Sequence, residues 1–348
     1  MLDVLSVALG ASIIAWAIMD LFGTVFMVGG GPAAQTRWVA SSVWRLAIRM
    51  HDPSSRRSHS LLRAAGPLIV LLVLLIWMSE LTLGWALVFV PDAFGSGADP
   101  SFGDRLVFAA KAMIGRGGNS DLVAPVEGGW EALRTIAGAT GVTLVSVGLA
   151  YVLPVLGGVA HRRSVAATIY TLGADVEEMR RLAATRGGSS FELYLVALVP
   201  ALSVVAESQR SYPVLHYFHS KDRHAALAPA LAMLVEFLRD DQESLEGIDA
   251  TVTEPLCRAI HNVLEALIRM GLQEYAEDVA GVDTSELHPV GIGKLVGDPD
   301  NEGVAIHESR DGVEAEVPGK TVLPSKEWLE AYAGFDGWNW EDVDPGTR

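Results

Sequence analysis

One cysteine stands among 348 residues. A single thiol excludes a disulfide framework and any cysteine-built metal site within one chain. Cys257 lies in TEPLCRAIHNVLEALIRMG, where helical spacing predicts a small core residue rather than a reactive group. Basic residues are also scarce, with 26 Lys and Arg against 42 Asp and Glu, for a net charge of −16. A protein that grips phosphates needs a basic face, so nucleic acid is excluded as a partner, and the acidity serves solubility. Phosphate-cradling glycine loops, dinucleotide fingerprints and internal repeats are missing. Ser, His and Asp occur in the second half, but no nucleophile is grouped with a base. The expectation is a protein without catalytic residues, enzymatic activity or cofactor. The first residues lack the basic start and small-residue cleavage site of a signal peptide, and are read as a retained membrane span.

What is present is apolar length. Half of the residues are hydrophobic and the mean hydropathy is +0.30. A helix needs about 20 apolar residues to cross the hydrocarbon core. Three stretches qualify: Val4 to Val28, Pro67 to Pro91, and Leu133 to Ala160. Backbone facing lipid must satisfy its own hydrogen bonds, so each stretch is helical. The connection after the first holds Arg37, Arg45, Arg49, Arg56, Arg57 and Arg63 against Asp52 alone, and the third ends in His161-Arg162-Arg163. The connection from Asp92 to Glu131 leans acidic. Positive loops stay cytoplasmic, which predicts a multi-pass protein of the plasma membrane with the N-terminus outside and the C-terminus in the cytoplasm.

The chain divides into an N-terminal span (1–30), a basic cytoplasmic loop (31–66), a pore-like module (67–160), a cytoplasmic helical domain (161–280) and an acidic, largely irregular tail (281–348). Within the module lie a span at 67–91, a short helix and glycine run at 102–125, and a span at 133–160. A run of apolar residues in SSFELYLVALVPALSVVAESQRS, interrupted by Pro200, reads as a buried cytoplasmic helix, with a fourth span as the alternative. The aromatic segment EWLEAYAGFDGWNW near the end is a candidate for docking.

The outer connection carries the candidate chemistry. FGDRLVFAAKAMIG is too short to span, and GRGGNSD and LVAP follow it. A selective pore replaces an ion's water with backbone carbonyls, and glycine adopts the conformations that aim successive carbonyls inward. A short helix preceding the turn directs its negative end at the cation. An exposed extracellular turn is the plain alternative.

From Asp104 to Pro154 the order of elements resembles the pore module of two-span potassium channels: pore helix, filter, proline, inner helix. MDLFGTVFMVGGGP, YVLPVL and RSYPVLHYFHS extend the resemblance to bacterial channel-like proteins with one added N-terminal span, over most of residues 1–240. The resemblance implies an all-α membrane protein, three transmembrane helices plus a re-entrant pore helix and loop, assembled as a homo-oligomer, a tetramer, in the lipid bilayer. It implies conduction of monovalent cations, potassium first, with no bound cofactor. The filter would be drawn from Met113, Ile114, Gly115, Arg116, Gly117, Gly118, Asn119, Ser120 and Asp121. One alignment sets Met113 to Gly117 on T-V-G-Y-G; the other sets Gly118 to Asp121 on G-Y-G-D. In both, the threonine is missing and Arg116 or Asn119 replaces the tyrosine.

On the third span Gly138, Gly141 and Gly148 are candidates for an inner-helix hinge or for close packing, and Pro154 for a kink at a gate. Two acids sit within spans, Asp20 and Glu80. Ionisable groups there need partners: Thr24 or a neighbouring span for Asp20, and a site behind the pore helix for Glu80. Each is an anchor or a proton-sensitive gate. His216, His219 and His224 cluster in HYFHSKDRH, which supplies too few ligands for a metal, and no metal site is expected.

Overall fold

A computed structural model describes residues 1–27, 33–51, 56–90, 100–115, 129–186, 188–239, 249–268, 323–324, 326–338 and 340. Regular structure among them is helical: α1 (Leu2–Val25), α2 (Ala34–Arg49), α3 (Arg56–Val88), α4 (Phe102–Met113), α5 (Gly129–Tyr170), α6 (Val176–Arg186), α7 (Gly188–Ser211), α8 (Leu227–Arg239), α9 (Ala250–Leu267) and α10 (Lys326–Phe335). Four of these, α1, α3, α5 and α7, are long and apolar enough to cross a membrane. Their outward surfaces carry leucine, valine and aromatic side chains, such as Leu9, Trp16, Leu71, Val142 and Leu149, which suits a hydrocarbon solvent.

The chain forms two compact units. The first contains Met1–Asp52, Ser60–Val159 and Arg210–Phe218. Here α1 crosses α3 at two glycines: a Cβ on Gly10 would lie 2.5 Å from the Gly84 carbonyl oxygen. Removing side chains at the crossing lets backbones approach, and Ser6 donates across it to the Leu87 carbonyl at 2.8 Å. The segment 210–218, placed by sequence in the cytoplasmic domain, belongs to this unit instead. Phe218 fills the notch at Gly66, Leu215 packs on Gly158, and Tyr212 meets Tyr151 edge-on at 5.8 Å.

The stretch 31–66, expected as a loop, is mostly helix. In α2, Thr36, Val39, Ala40 and Trp44 are buried, an i, i+3, i+4 stripe of mainly small residues that a hydropathy scan passes over. The third apolar stretch is likewise part of something longer. Helix α5 runs 42 residues without interruption through Pro154, about 63 Å at helical rise.

The second unit contains Pro53–His59, Ala160–Gln209 and His219–Arg348. Helix α8 is its centre, buried on almost every residue, with Phe237 against Phe191 of α7 at 5.5 Å. Helix α9 offers one apolar face, with Leu256, Ile260, Val263 and Leu267 all buried. Asp249 caps it by accepting from the Thr251 N–H at 2.9 Å. Cys257 is buried there and its thiol is pushed up to about 11 by burial. The acidic tail contains a helix: α10 packs on α8, with Trp328, Tyr332 and Trp338 buried. Its spacing was masked by the glycine, proline and acids around it.

Candidate functional site: a short seated helix and a buried polar network

Helix α4 is short because its ends are set locally. Ser101 and Asp104 form a capping box: Ser101 Oγ accepts from the Asp104 N–H at 3.3 Å and Asp104 Oδ2 accepts from the Ser101 N–H at 3.0 Å. At the other end Gly115 takes φ +73°, the left-handed region where glycine carries no Cβ penalty, and its N–H donates to the Ala112 carbonyl at 3.1 Å. One face of α4, Phe108, Ala109, Ala112 and Met113, is buried.

That face lies between α3 and α5. Phe108 meets Phe89 edge-on at 5.0 Å, and Thr82 Oγ1 lies 3.5 Å from Met113 Sδ. Trp85 Nε1 donates to Thr140 Oγ1 at 3.0 Å, tying α3 to α5 beside it. The last turn of α4 rests in a notch on α5. A Cβ on Gly138 would lie 3.2 Å from the Ala112 carbonyl oxygen. One on Gly141 would overlap the Met113 carbonyl, 2.8 Å from its carbon and 2.9 Å from Cα. A Cβ on Gly148 would lie 2.9 Å from Leu74 Cδ2 of α3. These glycines are where helices touch, and Pro154 lies within unbroken helix.

Of the nine expected filter residues, the described part contains three. Met113 is buried, and Ile114 and Gly115 are exposed. Arg116, Gly117, Gly118, Asn119, Ser120 and Asp121 lie outside the described residues.

The two intramembrane acids belong to one network. Asp20 is 5% exposed. Its Oδ2 accepts from Thr36 Oγ1 at 2.6 Å and from Trp77 Nε1 at 3.0 Å, and its Oδ1 from the Gln35 N–H at 3.2 Å. Thr24 accepts from the Ala33 N–H at 3.3 Å instead of pairing with Asp20. A carboxylate on α1 thus caps the N-terminus of α2, where free N–H groups and the helix dipole favour negative charge. Glu80 finds its partner on α2. It accepts from Gln35 Nε2 at 2.5 Å, and Gln35 Oε1 accepts from Trp16 Nε1 at 2.5 Å. Gln35, Thr36, Trp16 and Trp77 were not foreseen, since contacts between distant parts of a chain leave no periodic signal.

The histidines do not share a helical face. His216 sits on a 3-10 turn, Pro213–Tyr217, and His224 on another, Arg223–Ala225. His219 pairs with His59, nitrogen to nitrogen at 3.0 Å. His219 Nδ1 donates to the Asp336 carbonyl at 2.6 Å, and Trp338 packs on both rings. Arg162 Nη2 lies 3.8 Å from Asp336 Oδ1. Burial pushes the Asp336 carboxyl up to about 6, against the lowering effect of Arg162. Among the described residues no three metal-binding side chains converge.

Apolar helices of spanning length, with small residues at their crossings and ionisable groups paired inside, agree with one relative. The chain is 28% identical over 237 residues to the uncharacterized membrane protein YdjJ of Bacillus subtilis (strain 168), covering 66% of this chain and 67% of that one. This is a membrane protein. No family model matches the chain, and no solved structure matches it. A membrane placement explains why Leu71, Leu75, Val145 and Leu149 are exposed.

Proposed function

We propose that the chain is one subunit of a potassium-channel-like cation pore, with four α3–α4–α5 modules around an axis in the plasma membrane. The observation that carries this reading is α4. It is a twelve-residue helix, too short to span, and it rests between two long apolar helices with its last turn in the Gly138–Gly141 notch. A soluble surface turn needs no such seat. The C-terminal end of α4 bears the negative half of its dipole, and the glycine-rich run follows directly. In this reading α1, α3 and α5 cross the bilayer, with the N-terminus outside and the basic connection inside. Helix α7, although of spanning length, is read as a cytoplasmic helix, its Ala201 carbonyl accepting from His161 Nε2 at 3.1 Å. The α5 glycines seat α4, and bending of α5 near Pro154 controls the inner mouth.

A second reading has its own support. GRGGNSD lacks the threonine and tyrosine of a potassium filter, which favours a non-conducting protein that keeps the architecture and uses its helical second unit for binding. Planar-bilayer recording of the purified protein in potassium, rubidium and sodium separates the two. Unitary cation currents that disappear in Gly118→Ala support the pore. Silence across voltage and pH in protein of verified fold removes it.

A further inference from the structure

We propose that the outward face of α2 is a docking surface for anionic phospholipid headgroups. The inference depends on the chain being in a membrane, not on conduction. Helix α2 is joined to α1 through residues 26–33 and to α3 through residues 50–55, and its N-terminus is fastened to α1 by Asp20. Both neighbours have spanning length, so α2 stays close to the bilayer.

Its inner stripe, Thr36, Val39, Ala40 and Trp44, is buried within the first unit. At 100° per residue, Trp38, Arg45 and Arg49 share the opposite face. All three are exposed, Trp38 by 68%; Leu46 at one edge of that face and Met50 at the helix C-terminus are exposed too. Arg45 is tied to the helix by donating from Nε to the Ser41 carbonyl at 3.2 Å and from Nη2 to Ser41 Oγ at 3.3 Å.

Three features specify the occupant. A tryptophan among aliphatic side chains is the signature of a headgroup-level helix rather than a watery one. Arginine recognises phosphate oxygens by paired N–H donors. The stretch from Gly29 to Arg63 holds six arginines and one acid in a chain of net charge −16, so positive charge is concentrated where an anionic leaflet would meet it. A nucleic acid or an acidic soluble protein would match the arginines but not Trp38, Leu46 and Met50.

The test uses the full chain in phosphatidylcholine nanodiscs containing a minority of brominated lipid. Subtracting the emission of Trp38→Phe from that of the wild type isolates Trp38. Brominated phosphatidylglycerol is expected to quench this component more strongly than brominated phosphatidylcholine. The preference should fall about fivefold for each of Arg45→Gln and Arg49→Gln, and weaken in high salt. Equal quenching by both lipids in the wild type would overturn the headgroup assignment. So would a preference unchanged in the double variant. Absence of quenching by either lipid would mean that water or a second copy of the chain covers the face, and would overturn the proposal entirely. All positions altered are exposed, and no outcome depends on ion flux.

Discussion

Adding a single methyl group at position 141 tests how α4 is held. A Cβ on Gly141 would overlap the Met113 carbonyl, and the nearby atoms are backbone: the carbonyl carbon at 2.8 Å and Cα at 2.9 Å. No side-chain rotation relieves such a contact, so α4 must move or α5 must bow. Overpacking of a fitted interior costs about 1–3 kcal/mol. Alanine meanwhile regains helix propensity of about 1 kcal/mol over glycine. Two neighbours calibrate the result. At Gly138 the closest atom is the Ala112 oxygen at 3.2 Å, a contact a small shift relieves, and at Gly157 a Cβ meets nothing within 4 Å. Gly157→Ala should therefore be neutral or slightly stabilising, Gly138→Ala near neutral, and Gly141→Ala destabilising by up to about 2 kcal/mol net, about 1–3 kcal/mol below Gly157→Ala, which gains the same propensity. Thermal unfolding of the detergent-solubilised protein, followed by tryptophan fluorescence, reads the three variants side by side. If Gly141→Ala unfolds together with Gly157→Ala, α4 is not seated on α5 and the re-entrant arrangement fails.

Three further outcomes follow from the buried groups. Asp20→Ala strands the Thr36, Trp77 and Gln35 donors and should cost about 3 kcal/mol or more, while Trp77→Phe, which leaves Asp20 its other partners, should cost about 1–2; the same unfolding assay ranks them. Burial holds the Asp336 carboxyl at about 6 against an ordinary 3.8, so the folded state binds this proton more tightly than the unfolded state does. Its contribution to stability is complete below pH 3.8, declines as pH rises through that window and is lost above about 6, by up to about 3 kcal/mol. Asp336→Asn should flatten the pH dependence of unfolding between those limits, and an unchanged profile would contradict the assignment. The Cys257 thiol, buried and pushed up to about 11, should resist maleimide at neutral pH and react after denaturation, as intact-mass measurement would report.

The apolar spans were legible because twenty or so lipid-compatible residues in a row have few other uses. The short helix α4 was legible for a similar reason: an apolar stretch too brief to cross, closed by glycines. Helix α2 was not, because its buried stripe includes the small Thr36 and Ala40 beside Val39 and Trp44, with arginines between them. The α10 helix was hidden by its acidic, glycine-rich surroundings. The presence of Asp20 and Glu80 in spans announced that partners must exist. Which partners could not be read, because Asp20 and Trp77 are separated by 57 residues of sequence. The spacing of Gly138 and Gly141 fits both a hinge and a seat; only the position of Met113 beside them reveals the contact.

Convergence of the α4 ends on a common axis is measured most directly by distances between copies. Ile114, at the C-terminal end of α4, is 62% exposed and accepts a spin label as Ile114→Cys in a Cys257→Ala background. Four copies on an axis give two distances, the side and diagonal of a square, in a ratio of about 1.4, as fourfold symmetry requires. Pulsed dipolar spectroscopy in nanodiscs should resolve that pair. A single distance, or no dipolar modulation, would contradict the four-subunit pore.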